Sequence, residues 1–477
     1  MVDDLTASPD HIQAHLDALC ADIGNRLAAS DAERRAGEYC RDYLQSLGLE
    51  SVTTQQFPFH HWGWERCEVA VSVGEGWLAL DAIPVANSRP TPEGGIEAEL
   101  VYVDNALPAD LARADVRGKV LLVWGGHGGD TSKLQALNDC GAAGVIWVDE
   151  RLPFDWPVSV GTPYDWRDIC RLPQVCIPWA DAWEIVATLD GGVSRRVRMT
   201  SDVWSQPAPS LNVFGDLPGS GEELVHIGGH LDSVVVGTGA DDDASGVAVT
   251  LEVARLLVEA DVAPLRTVRF CGWGAEEQLS EGSRQYVAAH PDEVARTRLC
   301  VNLDSVGSIA GRNEVRVVGP PELTGEVRAL VGYTGSPDSE VSSVGYGSGR
   351  GTSEPSPDPS AVAPATGDES SPEASAKGDL TATVLEEVSP FSDMFAFNAW
   401  GVPSVWLYRV NMPGMRFHHH SHLDDLPVVS ARQVAMAATA CARLVHTAAT
   451  TEDYYPRTIP AALEAEIRQY AARYYGW

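Results

Sequence analysis

The chain has 477 residues, 44% of them hydrophobic, which is enough for two or three domains with substantial cores, and its formal net charge is −33. A field of that sign repels nucleic acid and anionic membranes, so neither is expected as a partner. No run of about 18 apolar residues offers a transmembrane helix, and the start MVDDLTASPDHIQAHLDAL lacks the basic and apolar regions of a signal peptide, so a cytoplasmic protein is expected. The only lysines are Lys119, Lys133 and Lys377. Dense carboxylate with so little lysine is the pattern expected of a protein from a salt-laden (halophilic) cytosol, where a Debye length of about 3 Å at molar salt screens the self-repulsion. The nine cysteines are odd in number and form no CxxC pair, which argues against a disulfide framework and against a Cys-based zinc site.

Taken in chain order, the first 50 residues read as helices. Ala36, Cys40, Tyr43, Leu44 and Leu47 recur at helical spacing before a stop at Gly48. From 70 to 200 the texture becomes short strands with turns: ELVYV, KVLLVW and GVIWV, the last two flanking a helix around Ser132–Asn138. From 208 onward strands alternate with helices. LVHIGG, TVRFCGW, LCVNLD and VPSVWLY are buried-strand candidates, Val247, Leu251, Ala254 and Val258 define one helical face, and a last helix starts at Ser430. Such alternation predicts an α/β fold with a mostly parallel central sheet flanked by helices. The expected organisation is a helical part at 1–70, a β-rich insertion at 71–205 and the main sheet domain at 206–477. Within it, 335–382 is rich in Ser, Pro, Gly and acids and reads as a flexible low-complexity insertion.

Five groups of carboxylates or imidazoles follow the strands of the last region, where open parallel sheets bind ligands. GGHLDS places His230 two residues before Asp232, which is positioned to hold the second ring nitrogen of a ligating imidazole. GADDDASG leads into a helix; its three aspartates suit capping, and its flanking glycines suit a loop that turns one carboxylate inward. GAEEQ sets Glu276 beside Glu277, so one acid can bind metal while the other handles a proton. NLDS ends a strand at Asp304, and FHHHSHLDDL crowds four histidines into five residues.

The set GHLDS, GADDDASG, GAEEQ, NLD and H-S-x-L-D resembles the co-catalytic zinc peptidases of the bacterial leucyl aminopeptidase and glutamate carboxypeptidase type. The resemblance implies two Zn2+ ions, with Co2+ or Mn2+ also acceptable to such N/O ligands. It implies that Asp242 bridges the metals, with His230 and Asp304 on one ion and Glu277 and His420 on the other. Glu276 would be the general base and Asp232 would orient His230. His418, His419 and His422 remain alternatives to His420. Residues 71–205 resemble a protease-associated domain through ELVYVDNALPADLARADVRGKVLLV and the pattern running from Lys133 to GAAGVIWV.

The expected substrates are small peptides, and the leading reading is an aminopeptidase. A carboxypeptidase or dipeptidase of the same superfamily is the alternative; it would need arginines in the pocket, for which Arg350, Arg409 and Arg416 are candidates. A receptor-like binding protein should have lost ligands, and a single-zinc cyclase would not need both His230 and Asp304. Ser389 stands where some relatives carry an oxyanion-stabilising tyrosine, so either another donor such as Tyr408 or Tyr346 serves or the metals carry that role alone. Oligomeric state is not legible.

Overall fold

The apolar runs of the C-terminal half assemble into the middle of one mixed sheet. The computed structural model describes residues 2–125, 131–148, 154–159, 161–331, 380–411 and 416–477. In chain order its strands are β1 (Glu50–Val73), β2 (Gly76–Leu80), β3 (Ile83–Pro84), β4 (Ile96–Tyr102), β5 (Val120–Trp124), β6 (Gly144–Val148) and β7 (Gln174–Ile177). They continue with β8 (Arg195–Leu217), β9 (Leu224–His230), β10 (Thr267–Trp273), β11 (Thr297–Leu303), β12 (Arg312–Val318), β13 (Ala382–Leu385) and β14 (Ser404–Val410). The order β13-β12-β14-β11-β9-β10-β8 runs through the C-terminal half, with β10, β9, β11 and β14 mutually parallel. Every residue of β9 and β14 is buried, which is why these strands are mostly apolar rather than alternating apolar and polar. The parallel expectation holds at this centre. Towards the edges β12 runs antiparallel to β14, and β8 antiparallel to β10.

Helices cover both faces. On one side Pro9–Leu16, Asp31–Ser46, Ser245–Glu259 and Ala431–Thr450 pack onto the sheet through Leu16, Leu44, Leu251, Val253 and Val445. The helix Ser245–Glu259 buries Val249 and Val253 as well as its predicted face, because it lies between the sheet and other helices. On the other side Tyr286, Val294 and Phe397 close a smaller, aromatic core over Phe214, Trp273 and Trp406. The last helix starts at Ser430 as expected, its Oγ accepting the Gln433 N–H at 3.4 Å, and Ser30, which the sequence reading did not single out, starts Asp31–Ser46 with its Oγ accepting the Glu33 N–H at 3.1 Å.

Residues 71–205 contain the short strands expected of them, β4 to β7, in a parallel run with the helix Thr131–Asp139 between β5 and β6. The expected boundaries at 71 and 205, however, fall inside strands. β1 and β8 form an antiparallel ribbon from Glu50↔Asp216 to Val71↔Val197, which carries the sheet from one half of the chain into the other. Of the 335–382 insertion, only residues 380–382 are among those described; Tyr346 and Arg350 lie outside them. Among the described residues no helix is long and apolar enough to cross a membrane.

Candidate metal centre

Each expected site residue follows the carboxyl end of one of the four parallel strands, so four loops converge on one point. His230 ends β9, Glu276 and Glu277 follow β10, Asp304 follows β11, and the histidine-rich segment follows β14. Donor atoms of His230, Asp242 and Asp304 all lie within 4.8 Å of one another, and the same holds for Asp242, His419 and His420. Asp242 belongs to both groups. Its Oδ1 lies 3.1 Å from His230 Nε2 and its Oδ2 lies 3.8 Å from His420 Nε2. His420 Nε2 is in turn 3.0 Å from Glu277 Oε2.

The aspartate triplet divides its work. Asp243 caps the following helix: its Oδ1 accepts the N–H groups of Gly246 and Ser305, and its Oδ2 that of His230, all at 2.9–3.0 Å. Asp241 turns to His418, whose Nε2 lies 2.8 Å from Asp241 Oδ2, and accepts the Gly307 N–H at 2.7 Å. Only Asp242 faces the cluster. The carboxylate of Asp424 holds this turn from outside by accepting the N–H groups of Asp241 and Asp242 at 2.8 and 3.1 Å. The capping reading and the inward-carboxylate reading of this motif are thus both right, for different members.

Glu276 and Glu277 sit on a short turn in which Ala275, Leu279 and Ser280 all adopt left-handed backbone conformations, with φ of 53°, 66° and 52°. Such conformations cost non-glycine residues roughly 1–2 kcal/mol each and persist where surrounding bonds impose them. Asp232 supplies two such bonds, its Oδ1 accepting the Glu276 N–H at 2.9 Å and its Oδ2 the Glu277 N–H at 3.2 Å. This adds a second part to the one expected of Asp232. His230 Nδ1 lies 3.1 Å from the Asp232 backbone carbonyl and 3.5 Å from its carboxylate. Asp232 therefore faces the imidazole with both main chain and side chain, and holds the acidic turn through its side chain.

The His418–His420 segment is fixed from several sides. His420 is itself left-handed at φ 56°, and its carbonyl accepts the Ser159 N–H at 2.7 Å. His422 packs edge-on against Trp156, with ring centroids 6.3 Å apart. His419 Nδ1 lies 3.0 Å from Asp242 Oδ2 and 2.6 Å from Arg416 Nη2, and Arg416 donates to Asp242 Oδ2 at 3.1 Å. Of the four histidines, 418 is thus tied to Asp241, 419 to Arg416 and Asp242, 420 faces Glu277 and 422 faces Trp156.

The electrostatics reflect many carboxylates removed from water together. Burial pushes the carboxyls of Glu276, Glu277 and Asp304 above their usual range, and those of Asp393 and Asp424 up to about 7. Burial acts on Asp242 in the same sense, but His230, His419 and Arg416 outweigh it and hold that carboxyl well below the usual range. Burial acts to lower the His230 ring, but the carboxylates of Asp232 and Asp242 outweigh it and raise it well above its usual value. Among the described residues, Glu277 Oε1 is a buried acceptor without a hydrogen-bond partner. Converging carboxylate oxygens and imidazole nitrogens, short of positive charge and with an orphaned acceptor, fit a divalent cation of the N/O-preferring kind.

Several residues here escaped the sequence reading. Ser392 donates to Asp304 Oδ2 at 2.7 Å while accepting from Asn302 Nδ2 at 2.6 Å, so it orients that carboxylate. Glu33, from the N-terminal helix, is wholly buried beside the Glu276 turn, and burial pushes it to about 8. Its one signal was an acid on the apolar face of a helix. Two substitutes considered for other roles are committed elsewhere: the Tyr408 hydroxyl bonds Glu314, and Arg409 donates to the Ser308 carbonyl and to Asn313.

Residues 212–345 match the family described as Peptidase family M28. Carboxypeptidase Q of Mus musculus is 29% identical over 294 residues, covering 59% of this chain and 62% of its own length. An aminopeptidase of Pseudomonas aeruginosa (strain UCBPP-PA14) is 31% identical over 314 residues, covering 60% of this chain and 54% of its own. The chain thus spans less than two-thirds of the length of these curated relatives. Among solved structures, a peptidase M28 precursor from Shewanella amazonensis SB2B superposes with a TM-score of 0.74 at 20% identity, over 96% of this chain and 97% of that one. BSAP, a zinc aminopeptidase from Bacillus subtilis, gives 0.67 at 20% identity over 96% and 98%. These two share the fold.

Proposed function

We propose that this chain, whose residues 212–345 match peptidase family M28, is a di-zinc exopeptidase that removes N-terminal residues from small peptides. The observation that carries this reading is the double cluster around Asp242, with His230 and Asp304 on one side and Glu277 and His420 on the other. Those five residues would hold the metals. His420 is preferred to His419 because its imidazole reaches both Glu277 and Asp242, whereas His419 is engaged by Arg416. Zinc bound there supplies Lewis acidity toward the scissile carbonyl and acidifies a water molecule.

The remaining steps belong to side chains. Glu276 takes the proton of the attacking water and returns it to the departing amine. Its Oε1 is steadied by the Ser280 hydroxyl at 3.1 Å, and its backbone by Asp232. The turn carrying Glu276 and Glu277 leaves excess negative charge near the reacting centre, which suits a substrate's free α-ammonium. The alternative, a carboxypeptidase or dipeptidase, is favoured by the 29% identity to carboxypeptidase Q. That reading needs an arginine for the α-carboxylate, yet Arg409 and Arg416 are already occupied by Ser308, Asn313 and Asp242. Residues 71–205 we read as a protease-associated domain that borders the cleft, with Ser159 and Trp156 touching the His420 loop.

A leucyl chromogenic amide compared with an N-blocked dipeptide, with and without chelator and in low and molar potassium chloride, tests this. Chelator-sensitive cleavage of the free-amine substrate alone supports the aminopeptidase. Cleavage of the blocked peptide alone moves the chain to the carboxypeptidase reading, and no turnover by protein holding two metals refutes both.

A further inference from the structure

Every ligand motif lies beyond residue 212, yet two fully buried ionisable side chains behind the site, Arg26 and Glu33, come from far upstream. Arg26 is 0% exposed, and all its guanidinium bonds go to backbone carbonyls rather than to a carboxylate. Nε donates to Leu231 O at 2.8 Å, Nη2 to Gly239 O at 2.9 Å and Nη1 to Thr238 O at 2.5 Å. Nη1 also reaches Gly24 O and Leu19 O at 3.4 and 3.5 Å. A buried cation costs several kcal/mol unless its donors are well satisfied. Here the carbonyls that satisfy it lie at both ends of the Leu231–Gly239 loop, which joins His230 and Asp232 to the aspartate triplet.

The neighbours of Arg26 grip the same loop. Asn25 Nδ2 donates to Val234 O and Gly237 O at 2.7 and 2.8 Å, and the Arg26 N–H donates to Ser233 Oγ at 3.0 Å. The loop needs external restraint, because Gly237 and Gly239 turn it through left-handed conformations at φ 76° and 60°. Further along the strap, Glu33 accepts the Ala29 N–H and the Ser210 hydroxyl, each at 2.7 Å, and the Ala275 N–H at 3.1 Å. Ala275 is the left-handed residue immediately before Glu276.

We propose that residues 25–33 form a strap that positions the site from behind, with Arg26 and Asn25 setting the spacing of His230 and Asp242 and Glu33 setting the Glu276 turn. The strap rests on the metal reading of the site, and its two ends act on separable properties. Arg26 and Asn25 govern metal affinity; Glu33 governs turnover. All three are positioning residues that touch neither metal nor substrate.

Zinc alone, titrated into metal-stripped full-length protein against a chelating dye, tests the first end. Arg26→Lys keeps the charge but replaces a planar fork with a point ammonium that cannot bridge the loop ends. Its zinc affinity is expected to fall by about 10-fold or more, the usual effect of losing a partner behind metal ligands. Asn25→Ala, at the partly exposed rim, is expected to shift affinity the same way and decides the question if Arg26→Lys does not fold. For the second end, Glu33→Gln is expected to lower kcat by about 10-fold while KM and zinc affinity stay within about twofold. Zinc affinity equal to the parent's in both loop variants, or equal losses of kcat and zinc affinity in Glu33→Gln, overturns the strap. The zinc arm uses no substrate, so a protein inactive on all peptides would sink the peptidase reading and still leave the strap decided.

Discussion

Replacing Asp232 with Asn isolates a residue that makes no contact with substrate in the proposed reaction. Its two carboxylate oxygens each accept a buried N–H, from Glu276 at 2.9 Å and from Glu277 at 3.2 Å. An asparagine amide has one oxygen, so in either orientation one of these N–H groups faces an NH2 group. The loss is one hydrogen bond to a charged acceptor, about 1.5–3 kcal/mol, together with a buried donor left unpaired, about 1–3 kcal/mol. Allowing for relaxation, the metal-free protein should lose about 2–4 kcal/mol of stability. Because in the proposed reaction the turn also carries a metal ligand and the base, zinc affinity and kcat should each fall by about 10- to 100-fold. Denaturant unfolding of the metal-stripped protein and a zinc competition titration measure the two effects. Metal-free stability within about 0.5 kcal/mol of the parent would refute the assignment of the Asp232 carboxylate to the acidic turn.

Glu276→Gln keeps the Ser280 contact but removes the proton acceptor, so kcat should drop by about 10²–10⁴-fold while bound zinc, read by metal analysis, is unchanged. Ser159→Pro deletes the N–H that holds the His420 carbonyl, whereas Ser159→Ala retains it. Weaker zinc binding in the proline variant alone is expected, and equal affinities in the two would sever residues 71–205 from the site. Burial lowers the His15 ring to about 4 from 6.5. Its folded pKa is the lower one, so its contribution is present above pH 6.5 and is lost as pH falls toward 4. The parent should therefore lose up to about 3 kcal/mol more than His15→Phe between pH 7 and pH 4, as denaturant unfolding at the two values would show.

What the amino-acid order determined by itself was whatever is written within a few residues. The runs that became β9, β10, β11 and β14 are mostly apolar without a strict alternation because both faces of the central sheet are covered, and that leaves a local mark. The site motifs were legible for the same reason: each lies within a short loop after its strand, and strand ends of a parallel sheet converge. The start of the last helix at Ser430 was legible too, since its hydroxyl sits directly before the apolar periodic run that it caps.

Only the tertiary structure decided the rest. β1 and β8 pair along nearly their whole lengths although Val71 and Val197, or Glu50 and Asp216, are far apart in the chain; their prolines and polar stretches hide a long strand from any local pattern. Nothing near GADDDASG says that Asp241 will meet His418, that Asp242 will face the cluster and that Asp243 will cap. The Asp232 carboxylate likewise finds its two N–H partners 44 and 45 residues away, and Arg26 its shortest carbonyl contacts, at Leu231, Thr238 and Gly239, 205 to 213 residues away. Periodicity and capping record how a residue meets its own element, whereas the partners of a buried charge are chosen when separate loops close over it and shut out water.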